Sequence, residues 1–209
     1  MATQPKKKAT QPKKKKKGAA KYSSQPKPSP MPWVLGGVAA LAVLVGGFFW
    51  WQGQQAAGSF EALIAQGKAG LPARVITNPD AGRGHGNIGV SIVYATDPPT
   101  SGVHWPNWTE PGFYTRPEPK EKLVHALEHG NIVIYYDQPP AEALSQIRAW
   151  QRRFTGAWDG LVVVPKPGLG QTIELTAWNK LLRLETWDAA LAAAFIDAYR
   201  GRGPENPVR

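Results

Sequence analysis

Apolar positions along this chain form one long unbroken run and a series of short ones. The long run is Trp33 to Trp51, WVLGGVAALAVLVGGFFWW, which carries no charged or amide side chain. As an α-helix it would reach roughly 28 Å at 1.5 Å per residue, close to the ~30 Å hydrocarbon core of a bilayer. Trp33 at one end and Trp50 and Trp51 at the other stand where an aromatic belt meets the headgroups. The pattern predicts one transmembrane helix over 33–51, whose glycines are tolerated because lipid offers the backbone no competing partner.

The short runs that follow switch between two periods. Residues 59–70, SFEALIAQGKAG, predict a short helix within a linker that covers 52–75. Gly89–Ala95 (GVSIVYA) is strand-like, residues 96–122 form a long loop rich in Pro, Gly and Trp, and 123–129 have room for one or two helical turns stopped by Gly130. Asn131–Tyr136 (NIVIYY) is a buried strand by its β-branched and aromatic run. A helix opened by Pro140 follows, with Leu144, Ile147, Gln151 and Phe154 on one face. Leu161–Pro165, Thr172–Trp178 and Lys180–Glu185 are three further strands. The last helix begins near Thr186 or Asp188, buries Leu191, Phe195 and Ala198, and stops at Gly201. This order predicts an α+β fold: a small two-layer sandwich, with a mixed sheet and helices mainly on one face, over residues 76–205. A short tail, 206–209, completes the chain.

Charge changes the picture in one way. The formal net charge is +10, yet residues 1–32 hold ten lysines and no acid, while 52–209 balance fifteen Lys/Arg against fifteen Asp/Glu. The folded part is therefore neutral, and no nucleic-acid partner is expected. The repeats ATQPKKK and ATQPKKKKK belong to a Lys/Pro-rich tail over 1–32 that cannot bury enough apolar surface to order itself. By the positive-inside rule those lysines hold the N-terminus in the cytoplasm and place the domain on the other side of the membrane. Lys13, Lys14, Lys15, Lys16 and Lys17 are the densest part and are placed to touch anionic lipid, at about 1 kcal/mol per residue.

The chain has no cysteine, which excludes disulfide scaffolds, thiol nucleophiles, CxxC redox chemistry and thiolate–zinc sites. Histidine is left as the chemistry-bearing residue, and all four histidines lie between 85 and 129: His85 in GRGHGN, His104 in PPTSGVHW, His125 and His129 in VHALEHG. His125 and His129 are four apart and so share one face of a helical turn, with Glu128 beside them to ligate or to orient. His104, His125, His129, Glu128 and His85 are the candidate ligands. An all-nitrogen and oxygen set suits a divalent ion such as zinc or copper, and nickel or non-haem iron are also compatible. The bland alternative is that the histidines are ordinary buried donors tying the long loop to the sheet.

Other schemes fit less well. H-x-x-E-H at 125–129 is the inverted zinc-protease signature, but Gly130 and a strand leave no room for the long helix that signature needs. Ser101 in TSGVH is not a nucleophile elbow, and GRGHGN lacks the third glycine of a dinucleotide loop, with Asn87 in its place.

The strings YATDPPTSGVHW (94–105), GFY (112–114) and VHALEHGNIVIYY (124–136), with LTAW (175–178), resemble domain-of-unknown-function family 3105. The resemblance covers roughly residues 60–205. It implies a bacterial protein with a basic N-terminus, one membrane helix and this domain outside, and it marks His104, His125, Glu128 and His129 as motif positions. It implies no substrate, cofactor or catalytic role. Three functions stay open: an envelope metal-binding domain, a non-metal domain docking an envelope protein through its Trp/Pro-rich loop, and a metal-dependent hydrolase or oxidoreductase.

Overall fold

In a computed structural model of the protein, the residues described are 41, 43–48 and 60–209. Residues 41 and 43–48 are helical and exposed. The Lys-rich tail, most of the 33–51 run, and Trp33, Trp50 and Trp51 lie outside the described residues. Among the described residues no helix is long and apolar enough to cross a membrane.

A six-stranded mixed sheet organises the domain, with strands β1 (Val75–Thr77), β2 (Gly112–Phe113), β3 (Ile132–Tyr136), β4 (Leu161–Pro165), β5 (Ile173–Ala177) and β6 (Lys180–Leu184) in the order β1-β6-β5-β3-β4-β2. β3, β4 and β2 run parallel to one another, while β5, β6 and β1 add on by antiparallel pairing. Helix α1 covers 60–67, α2 is Lys120–His129, α3 is Ala141–Arg153 and α4 is Ala189–Tyr199. The parallel β3–β4 pair is joined through α3, as parallel strands require a crossover.

Side chains alternate across the sheet with period two and so divide the core. Ile132, Ile134, Leu161, Val163, Ile173, Leu175, Leu182 and Leu184 share one cluster with Ile147 and Trp150 of α3 and Leu191, Phe195 and Ile196 of α4. Phe60 of α1 closes this cluster, its ring 5.2 Å from those of Trp150 and Phe154. Val133, Tyr135, Val162 and Val164 point the other way, onto Leu123, Ala126 and Leu127 of α2. Helices therefore cover both faces. Three lie on one side as expected, but α2 lies on the other, which is why β3 and β4 read as continuous apolar runs.

Most elements fall within a residue or two of the pattern-based reading. One does not. Gly89–Ala95 forms no strand: Val93 is 97% exposed, and Ile88 and Val90 face solvent. The backbone of this stretch bonds elsewhere, with Val90 N donating to the Asn87 carbonyl (3.2 Å) and Ile92 N to Oε1 of Glu121 (2.9 Å). The whole 78–110 segment is held as a fixed loop over α2. Asn78 N donates to Asn179 O and Asn179 N to Thr100 O, each at 2.9 Å.

Candidate functional site

α2 carries the centre of the site. Its positions 123, 126 and 127 are spent on the sheet, so His125, Glu128 and His129, spaced i, i+3, i+4, share a second face. That face does not meet water. The loop covers it from one side and the C-terminal segment from the other, leaving His125, Glu128 and His129 all buried.

The loop delivers the other two histidines by a device the glycines permit. Residues 82–86 and 102–104 run side by side in parallel, with Gly102 N donating to Gly82 O (3.1 Å), His104 N to Gly84 O (3.0 Å) and Gly86 N to His104 O (2.7 Å). Gly102 sits at φ 118°, where L side chains are strained, and a Cβ there would meet the Tyr94 ring at 3.4 Å. The glycines of GRGHGN thus serve loop pairing, and no phosphate cradle is involved. Ser101 is equally structural: its Oγ accepts from Ala81 N at 3.0 Å.

The pairing brings three imidazoles together. Ring centroids are 4.7 Å apart for His104–His125, 5.0 Å for His85–His125 and 5.2 Å for His85–His104. One ligand atom from each of His85, His104, His125 and Glu128 lies within 4.8 Å of every other. A tetrahedral ion with bonds of ~2.0–2.1 Å separates its ligands by about 3.4 Å, so shifts of no more than ~0.7 Å a side reach that spacing, the 3.0 Å His104–Glu128 pair opening slightly. His85 is exposed and the other three are buried, so the set opens to solvent on one side.

Two outer hydrogen bonds decide what the rings present. Nδ1 of His104 lies 2.8 Å from Gly102 O, and Nδ1 of His125 lies 2.7 Å from Trp105 O. A carbonyl only accepts, so both Nδ1 atoms donate, and in each ring Nε2 is the nitrogen left to face inward. This is the outer-shell arrangement that orients metal-ligating histidines. Nε2 of His104 is buried, has no hydrogen-bond partner, and lies 3.0 Å from Oε2 of Glu128 in a contact without hydrogen-bond alignment.

Burial pushes the His125 imidazole down to about 4, with repulsion from His104, His129 and His85 adding to it and the Trp105 carbonyl opposing. His129 is lowered as well, by burial first, with Glu205 opposing. Both rings are therefore held in the form that binds metal.

His129 is not part of the four-residue set. It stacks on Trp158, centroids 4.1 Å apart, and its Nε2 lies 3.1 Å from Oε2 of Glu205, which is also 3.9 Å from Nε2 of His125. His125, His129 and Glu205 form a second group whose ligand atoms lie within 4.8 Å of one another. Glu205 was not among the sequence candidates. Its place depends on the C-terminal segment crossing the end of α2 at backbone contact, where Gly201 N donates to Gly130 O at 2.8 Å. A Cβ on Gly203 would stand 2.2 Å from Glu128 O, and one on Gly130 2.8 Å from Gly203 N. The glycines of the GRG string at 201–203 were the signal available.

A family model described as "Protein of unknown function (DUF3105)" matches residues 85–209, more than half of the chain. The chain belongs to this family. The matched region holds all four histidines, Glu128 and Glu205, and leaves out the Lys-rich tail and the apolar run. No curated protein and no solved structure matches the chain.

Proposed function

We propose that this DUF3105 domain holds one divalent metal ion, zinc or copper(II), through His85, His104, His125 and Glu128. The observation that carries the proposal is the buried Nε2 of His104, facing the Glu128 carboxylate oxygen at 3.0 Å while Nδ1 is committed to a carbonyl. With the ring neutral, that distance would set lone pair against lone pair, a contact that a cation relieves. A proton would serve that pair alone, whereas a metal ion also accounts for the second inward Nε2 on His125 and for His85 beside it.

Three nitrogens and one oxygen fill a tetrahedral shell with protein ligands, which favours a holding or carrier site over a catalytic one with a water position. The ion is held on the far side of the bacterial cell membrane from the cytoplasm, with 33–51 as a single-pass anchor and the Lys tail on anionic lipid inside. The apolar length of that run and the one-sided lysines support this placement. Metal analysis of the purified full chain tests the assignment. One equivalent of zinc or copper, lost in His104→Ala and in His125→Ala, supports it. A metal-free protein whose melting temperature ignores both ions would refute it.

One observation favours a second role for the same loop. Ile88, Val90 and Val93 are exposed although the loop itself is fixed, as a surface for an envelope protein partner would be.

A further inference from the structure

Resting on that metal site, we propose that His125, His129 and Glu205 form a loading position for the same ion, and that His125 passes the ion inward by changing partners. The geometry contains two ligand sets with one shared member. His125 has a single nitrogen to give, because its Nδ1 donates to Trp105 O at 2.7 Å, and an imidazole Nε2 has one lone pair. The two sets therefore cannot both be complete.

They also differ in access. Glu205 has a side chain 42% exposed and sits on the C-terminal segment, whereas His104 and Glu128 are buried against α2 and the loop. An ion arriving on the C-terminal side meets the Glu205 carboxylate first, whereas the inner set meets solvent only through the His85 imidazole. His129 Nε2 lies 3.1 Å from that carboxylate and His125 Nε2 3.9 Å from it, so three donors and water make a first shell. In the transfer the ion keeps its bond to His125 Nε2. It breaks those to His129, Glu205 and water, and forms those to His85, His104 and Glu128. No electron moves, and the gain of a fourth protein ligand in place of water sets the direction.

The outer set has the marks of a built position. His129 is fixed by its stack on Trp158 at 4.1 Å and by Trp108 at 4.6 Å, and Glu205 N donates to Glu128 O at 3.3 Å. One carboxylate is thus placed over two inward nitrogens by a backbone crossing that Gly130 and Gly203 make room for.

Cobalt(II), followed by its visible absorption, reads both positions in the full chain. Wild type is expected to take up one equivalent. Glu205→Gln, an isosteric change, should take up one equivalent at least tenfold more slowly. His104→Ala should retain weaker cobalt at the outer set, and adding Glu205→Gln should remove it. Two equivalents in wild type, or unchanged loading in Glu205→Gln, would overturn the shared-ligand transfer. In those cases the inner site still stands, provided His104→Ala abolishes tight binding. A wild-type chain that takes up no cobalt would end both readings.

Discussion

Oε2 of Glu128 stands 3.0 Å from Nε2 of His104, a ring that is 0% exposed and anchored at its other nitrogen to Gly102 O. This buried contact lacks hydrogen-bond alignment, and it links α2 to the loop that covers it. Removing either partner should therefore act on metal affinity more than on the fold. We expect Glu128→Gln to weaken zinc binding at least a hundredfold, about 2.7 kcal/mol of lost ligand stabilisation at fixed metal. Calorimetric titration of zinc into metal-free wild type and variant checks this, and equal dissociation constants would remove Glu128 from the shell.

Gly203 tests the route by which Glu205 reaches the site. A methyl group at this position would press on Glu128 O and Gly130 N, both 2.2 Å from the ideal Cβ, and both are backbone atoms that cannot step aside alone. Gly203→Ala should cost at least ~2 kcal/mol of stability if the crossing is kept. If the segment lifts away instead, stability changes little and the slow loading expected of Glu205→Gln appears. Chemical denaturation in chelator, paired with a loading trace, tells these two responses apart. Normal values in both would mean the segment does not cross there.

How much of this could be read from residues alone differs between elements for a physical reason. β3 to β6 and α3 declare themselves because burial on one or both faces leaves local periodicity in the apolar pattern. α2 is legible as a turn ended by Gly130, which adopts φ 103°. Its placement on the opposite sheet face is not legible, since Leu123, Ala126 and Leu127 would look the same on either side. Gly89–Ala95 has the composition of a strand, but its amide hydrogen bonds go to Asn87 in a local turn and to Glu121, a partner that only the tertiary structure supplies. Within the site, the i, i+3, i+4 spacing on α2 does reveal His125, Glu128 and His129. It does not reveal that His129 turns to Glu205, because that partner arrives from the far end of the chain over a glycine crossing.

The 88–93 stretch offers a contrasting substitution. Val93 is 97% exposed, so Val93→Ser should change stability by no more than about 0.5 kcal/mol and leave zinc affinity as it was. If the loop instead serves a protein partner, the variant loses that partner while keeping its metal and its melting curve. A marked loss of stability would mean that the segment packs as the strand its composition suggests.

Acid should destabilise the metal-free domain through His125. Burial holds this ring at about 4, against ~6.5 in the unfolded chain. Above pH 6.5 the ring is neutral in both states and contributes no pH dependence. As the pH falls below ~6.5, the unfolded chain takes up a proton that the native ring refuses, so stability declines. The decline continues to about pH 4, where the native ring protonates too, and then levels off. His129, also lowered by burial, adds to the slope in the same direction. Urea midpoints recorded in chelator across this window should fall steadily for wild type and fall less steeply for His125→Gln, which has no proton to gain. Parallel slopes for the two proteins would show that His125 is not held neutral in the native state. The two inward lone pairs on which the metal site depends would then be reduced to one.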